Sequence, residues 1–267
     1  MSESGNPYSP PLAEVADAPH TVSDGGTFVP NGRRVPAGNG VSWMTRAFRL
    51  FFQAPGKWLL VLLILFAIYF VSGLIPFAGF VIAIFGPVIG GGIVYSVHLQ
   101  RTTGSFDIGN IFAGFGPRFG QLVIVGLVVL LNIPLTILAF LIVFGADIVR
   151  MFTMVGDQMD PMMFDGFGMK ILLVVLLNLL FTLPILAATY LAPALIMLHE
   201  IPAGAAMKMS FIGLIKNVLP GLVFSVLMLL VGVVALIPIG LGLLIVVPVA
   251  MIAAYTMYRD IFVEEAE

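Results

Sequence analysis

The sequence predicts an all-α, polytopic membrane protein with six transmembrane helices in three hairpins, each hairpin preceded by an amphipathic interfacial helix. Three observations lead there. Hydrophobic residues make up 60% of the 267-residue chain and charged residues only 10%, whereas about a quarter of the residues in soluble domains are charged. The charge falls between six apolar runs, each near the ~20 residues that a helix rising ~1.5 Å per residue needs to cross ~30 Å of hydrocarbon. Short segments with one apolar helical face precede the first, third and fifth runs.

In chain order, residues 1–40 come first and contrast with everything after them. Pro, Ser, Gly, Asn and Asp dominate, and apolar residues such as Phe28 and Val29 are isolated. Such a segment buries too little apolar area to offset its ordering entropy, so a disordered cytoplasmic tail is expected. No apolar run follows a basic start, so a signal peptide is not expected. Arg33 and Arg34 precede turn-rich, polar residues 35–40 rather than the apolar stretch of a twin-arginine export signal.

The transmembrane domain is expected over residues 41–262, with spans at 57–75, 77–97, 121–144, 171–197, 218–237 and 239–258 and an acidic tail at 263–267. Cytoplasmic loops retain Lys and Arg. Arg33, Arg34, Arg46, Arg49, Lys57, Arg101, Arg118, Lys208, Lys216 and Arg259 fall on one side, and only Arg150 and Lys170 on the other. Both termini are therefore expected in the cytoplasm. The first and third outer turns, at residues 74–77 and 236–239, have Pro76 and Pro238 as their breakers, which ends one helix and starts the next within a few residues. A re-entrant pair turning inside the bilayer is the competing reading of these turns.

Met44, Ala47, Phe48 and Phe51 share a face of the first amphipathic segment, opposite Arg46 and Arg49. Ile108, Ile111, Phe112, Phe115 and Phe119 repeat at helical spacing in the second, with Asp107 placed to cap it. Met207, Phe211, Leu214 and Val218 do so less cleanly in the third. All three read as interfacial helices. Pro55-Gly56 before the first span matches Pro220-Gly221 before the fifth, and Leu74-Ile75-Pro76 matches Leu236-Ile237-Pro238. The chain is thus expected to repeat one unit, at about 41–100, 105–198 and 202–260, with parallel copies and an enlarged outer loop at 145–170 in the middle one.

Function is less legible. Near-neutral charge (-2) and the lack of a dense basic block argue against a nucleic-acid partner, and the absence of cysteine excludes disulfides and thiolate metal sites. No Ser, His and Asp arrangement, paired carboxylates or cofactor motif can be argued, so neither an enzyme nor a cofactor is expected. The deepest polar side chains form a candidate intramembrane site: Asn132 and Thr136 in span three, Asn178 and Thr182 in span four. Asn132 and Thr182 lie at similar depth and are expected to bond across the helices. The plain reading is interhelical glue worth ~0.6 kcal/mol; the functional reading is a polar substrate site helped by Pro134 and Pro184, whose rings free backbone carbonyls.

Gly86 and Gly90 give a small-xxx-small face suited to helix packing or to a second copy of the chain. Met151, Met154, Met159, Met162 and Met163 stand in the outer loop at spacings that include Met-x-x-Met. Thioethers are soft ligands that suit Cu(I), although flexible methionines packing an interfacial helix give the same pattern. His98 and His199 sit at cytoplasmic span ends and are expected to hold a polar tip in water.

The strings Val35-Pro36-Ala37-Gly38-Asn39-Gly40 with Trp43, Phe112-Ala113-Gly114-Phe115, Ala192-Pro193-Ala194 and Tyr258-Arg259-Asp260-Ile261-Phe262 resemble a family of uncharacterised proteobacterial inner-membrane proteins. More remotely, the organisation is similar to the membrane domain of some glycerophosphodiester phosphodiesterases, without their hydrolase domain. The resemblance implies a bacterial inner-membrane location and a six-helix fold, and no activity. The expected role is a non-enzymatic protein that organises membrane lipid or a partner, which would be another membrane protein or a second copy of this chain. The alternative is a small-molecule or lipid permease working at the site between spans three and four.

Overall fold

The computed structural model describes residues 26–153 and 166–265. The helices are α1 (Asn39–Gln53), α2 (Pro55–Gly73), α3 (Ala78–Thr103), a 3-10 helix (Ile108–Phe115), α4 (Phe119–Leu130), α5 (Asn132–Thr153), α6 (Phe167–Thr189), α7 (Ala192–His199), α8 (Ala203–Lys216), α9 (Val218–Leu236) and α10 (Leu243–Phe262). Two short strands, β1 (Gly26–Phe28) and β2 (Val263–Glu265), pair antiparallel with Phe28 opposite Val263. Six helical stretches are long and apolar enough to cross a membrane: α2, α3, α4 with α5, α6 with α7, α9 and α10.

Two of these stretches are interrupted, for different reasons. Pro134 has no N–H to return to the carbonyl of Leu130, and the ladder breaks at Leu131, between α4 and α5. Pro184, by contrast, sits inside α6; the second break comes later, at Tyr190 and Leu191, just before Pro193 in the first turn of α7. There the hydroxyl of Ser210 on α8 enters the ladder. It accepts from the Leu191 N–H at 3.1 Å and donates to the Ala187 carbonyl at 2.7 Å, so both groups of the lost helical bond are satisfied.

Helix α10 forms the centre, packed against α1, α2, α3 and α9. It is the least apolar of the six stretches and buries residues on all sides, including Thr256, Arg259 and Asp260. Helix α6 packs against α5 and α8 and buries Thr189 alone. Three glycines set the closest approaches. A Cβ on Gly92 would collide with the Ile111 carbonyl, one on Gly114 with the Val88 carbonyl, and one on Gly126 with the Ile84 carbonyl. Backbone therefore touches backbone where α3 meets the 3-10 helix and α4.

Several expectations need correction. The expected disordered tail to residue 40 fails for residues 26–40. These are ordered by β1 and by hydrogen bonds to α8, to Asn217 after it and to α10, while residues 1–25 lie outside the described part. The acidic tail likewise begins as β2. Residues 108–115 form a 3-10 helix, capped by Asp107, whose carboxylate accepts from Gly109 N–H at 2.9 Å; its buried residues, Ile111 and Gly114, are spaced by three, the 3-10 period. The face that α8 turns to the rest of the chain is Ala203, Ala206, Ser210 and Gly213, whose small side chains let it approach α6 closely; Met207, Phe211, Leu214 and Val218, expected at the membrane interface, are not among these buried residues. The third span continues through Thr153 as α5, beyond the expected start of the outer loop at residue 145, and Lys170 Nζ meets Asp147 Oδ2 at 2.7 Å.

In both turns after Pro76 and Pro238 the next residue is left-handed: Phe77 at φ +66° and Ile239 at φ +55°. Ile75 accepts from Ala78 N–H at 3.2 Å across the first, as in a type II turn with proline at its second position.

Candidate functional site

The polar groups of the fold gather at one end of the helices, around Asp260. Its carboxylate accepts from Trp43 Nε1 at 2.7 Å, from Asn39 Nδ2 at 2.7 Å and from Arg33 Nη2 at 3.2 Å; Arg33 Nε also donates to the Asp260 carbonyl at 2.8 Å. The carboxylate is 4% exposed. A buried carboxylate needs such donors, since desolvating a charge without partners costs several kcal/mol. Asn217, at the junction of α8 and α9, repeats the pattern. It accepts from Val35 N–H at 2.8 Å and donates to the Arg33 carbonyl at 2.8 Å, while Lys216 Nζ reaches the carbonyls of Asn31 and Gly32. These bonds explain how a segment with few apolar residues is held in place.

A second hub is Gln100 near the end of α3. It accepts from Trp58 Nε1 at 3.0 Å and donates to the Leu50 carbonyl at 2.7 Å, which lies in the last turn of α1, where helix carbonyls run short of backbone partners. Lys57 Nζ donates to the Phe106 carbonyl at 2.6 Å, Gln121 Oε1 accepts from Ala203 N–H at 2.7 Å at the start of α8, and Arg118 pairs with Glu200. Here the histidines depart from expectation. His98 is 3% exposed and its Nδ1 lies 3.2 Å from the Tyr255 hydroxyl. His199 contacts the Tyr258 hydroxyl at 2.5 Å and stacks on Phe28 with ring centres 3.9 Å apart. Both are structural members of the layer.

This end also holds a cleft of about 360 Å³ lined by Arg46, Arg49, Leu50, Gln53, Arg101, Tyr255, Thr256 and Arg259. Arg46 and Arg49 lie one turn apart on α1, Arg101 ends α3, and Arg259 stands on α10. A second cleft of about 310 Å³ lies beside it, lined by Lys57, Gln100 and Phe106 among others.

Of the candidate intramembrane residues, the structure joins three. Asn178 Nδ2 donates to Thr136 Oγ1 at 2.6 Å between α6 and α5, and Thr182 Oγ1 donates to Asn178 Oδ1 at 3.3 Å. Asn132 does not pair with Thr182. Its Nδ2 turns back to the Val129 carbonyl at 3.0 Å, at the break ahead of Pro134, and its Oδ1 is buried with no partner among the described residues. Thr136 is exposed on the outer surface, and none of the four lines either cleft. Among the described residues nothing lies within 4 Å of a Cβ placed on Gly86 or Gly90; the close contacts belong to Gly92, Gly114 and Gly126 instead. Met154, Met159, Met162 and Met163 lie outside the described residues, and Met151 is placed only as part of α5.

Sequence reading missed Asp260 and the arginine cleft as sites. The signal was present in the strings 35–40, Trp43 and 258–262, which the fold brings to one point, with Asn39 and Trp43 on the carboxylate of Asp260. No family model, no curated protein and no solved structure matches this chain.

Proposed function

We propose that this chain is a six-span protein of a bacterial inner membrane, built as three parallel hairpins each led by an interfacial helix. In this reading both termini lie in the cytoplasm, and the protein organises membrane lipid or a partner protein rather than catalysing a reaction. The observation that carries the reading is the buried layer around Asp260. It draws residues near both ends of the described chain, together with the helix ends bearing Arg46, Arg49, Arg101 and Arg259, to one side of the helices. Positive charge concentrated at one end is what retention on the cytoplasmic face selects. Lys170, expected on the opposite side, is paired with Asp147. The matching Pro76-Phe77 and Pro238-Ile239 turns support the repeat.

A permease remains the second reading, favoured by the Thr136–Asn178 bond at the α5–α6 contact. Crosslinking in living cells, followed by mass spectrometry, separates the two. The full chain, a version lacking residues 1–25 and an Asn178→Leu variant are compared, because a cut at Val35 would also remove Arg33 from Asp260. The organiser reading expects capture of a specific protein or lipid class to survive Asn178→Leu and to fail without residues 1–25. Capture lost in Asn178→Leu alone overturns it in favour of transport. Sidedness is checked independently: the chain has no cysteine, so a cysteine introduced at Thr27 should resist a membrane-impermeant maleimide in intact cells while one at Gly168 reacts.

A further inference from the structure

We infer that the turns at Pro76-Phe77 and Pro238-Ile239 are lipid-binding surfaces, seated among the acyl chains of the leaflet opposite the Asp260 layer and not in the water beyond it. Their side chains point that way first. Residues 73–94 pass through the first turn without one polar side chain, and residues 226–254 do the same through the third. Phe77, Ile237 and Ile239 are 80%, 78% and 97% exposed. Exposed apolar groups of that size are unfavourable in water and at ease in hydrocarbon. The middle hairpin gives the contrast. Its far end carries the Asp147–Lys170 pair, and its two helical stretches run 31 and 33 residues, against 19, 19 and 20 for α2, α9 and α10. At ~1.5 Å per residue these are paths of ~46–50 Å against ~28–30 Å, and the hydrocarbon core alone is ~30 Å thick.

The backbone agrees. Hydrocarbon tolerates a turn only where the polar groups of the main chain are paired within the protein. In the first turn the N–H groups of Leu74, Ile75, Ala78 and Phe80 donate to nearby carbonyls at 3.0–3.2 Å, and in the third those of Ile237, Gly240, Leu241 and Leu243 do so at 2.9–3.1 Å. Each proline removes one more donor. A Cβ on Gly242 would stand 2.6 Å from Ala235 Cα, so α9 and α10 touch backbone to backbone beside the turn. Phe77 and Ile239 also occupy φ +66° and +55°, where a Cβ crowds the following carbonyl and Gly or Asn is the ordinary occupant. Asparagine would ease that backbone but bring an amide into lipid; Phe and Ile keep both turns apolar. The surface opposite the Asp260 layer then belongs to the middle hairpin, and lipid closes over the other two. This seating rests on the proposed function for the chain's place in a membrane, and not for its orientation there.

The test uses the full chain, which has no cysteine of its own, in vesicles of dioleoyl phosphatidylcholine and dioleoyl phosphatidylglycerol. Single variants Phe77→Cys, Ile239→Cys, Leu229→Cys and Gly168→Cys carry a nitroxide. Electron paramagnetic resonance follows its collisions with dissolved oxygen, which concentrates in hydrocarbon, and with a neutral nickel chelate, which stays in water. Oxygen should prevail by about threefold at both turns, as at Leu229, an exposed residue partway along α9, and the chelate should prevail at Gly168. Chelate access at either turn equal to that at Gly168 overturns the inference. Protection from both reagents overturns it too, by placing protein, such as a second copy of the chain, over the turns. Chelate access at Leu229 as well overturns the membrane reading itself, so the two failures are distinguishable. If the cysteine variants fail to fold, Ile239→Asn decides by its sign in the same vesicles: a lowered unfolding temperature places the turn in lipid, and a raised one, from an eased backbone, places it in water.

Discussion

Helices α10 and α6 invert the rule that holds for soluble proteins. In α10, the least apolar of the six stretches, 67% of a span-length window is buried within the chain; in the far more apolar α6 stretch the figure is 0%. In water the more apolar helix would take the centre. In lipid, apolar surface gains nothing by being buried, and the interior goes to the helix whose polar groups must find partners. Thr256, Arg259 and Asp260 put α10 at the centre, and Leu-rich α6 stays outside because hydrocarbon suits it as well as protein does.

Substitutions at the two ends of this contrast should differ widely in effect. The largest belongs to Asp260→Ala, which strips partners from Trp43, Asn39 and Arg33 at once. Removing one side of a buried charged network costs about 3–5 kcal/mol, so thermal unfolding in detergent should shift well below that of the full chain, and residues 26–40 should become open to protease. If Asp260→Ala unfolds like the parent, the centre is not held by polar partners and the contrast with α6 collapses.

Ser210→Ala comes next. It orphans Leu191 N–H and the Ala187 carbonyl together, at about 1–3 kcal/mol, measurable in the same unfolding assay. Leucine at Asn178 should matter less, about 0.6 kcal/mol for the one bond it removes between helices, the other being a long bond from Thr182 within α6. A loss there larger than that of Ser210→Ala would show that α5 and α6 are held by polarity after all. Gly86→Ala should change stability by under about 0.5 kcal/mol, because nothing stands near the added methyl. A drop in self-association with stability unchanged would instead place Gly86 at a contact between copies.

Run length and charge placement made the spans legible, because a bilayer imposes one length on any helix that crosses it. The interior was not legible by the same means. Residues 26–40 read as disordered when weighed by apolar content, yet Arg33, Val35 and Asn39 are held by hydrogen bonds to residues 182 to 227 positions away, and no local pattern records such a partner. The packing face of α8 escaped notice for a related reason. Met207 and Phe211 stand out on any apolar scale, whereas Ala203, Ala206 and Gly213 matter for the side-chain volume they lack. Thr136, Asn178 and Thr182 were recognisable as a group because all three lie in helices with a known phase. Asn132 was misplaced because its amide finds a local partner, the Val129 carbonyl, which depth in the membrane does not reveal.

The pairing of β1 with β2 also has a consequence in time. A ribosome delivers Trp43 early and Asp260 after another 217 residues, so during most of synthesis the donors of α1 have no carboxylate to receive them. The polar layer can close only when α10 arrives, after every other helix has entered the membrane. A chain interrupted before Leu243 would hold residues 31–35 through Lys216 and Asn217 alone, without Asp260 or β2. The clasp between the two strands is thus the last of these contacts to form.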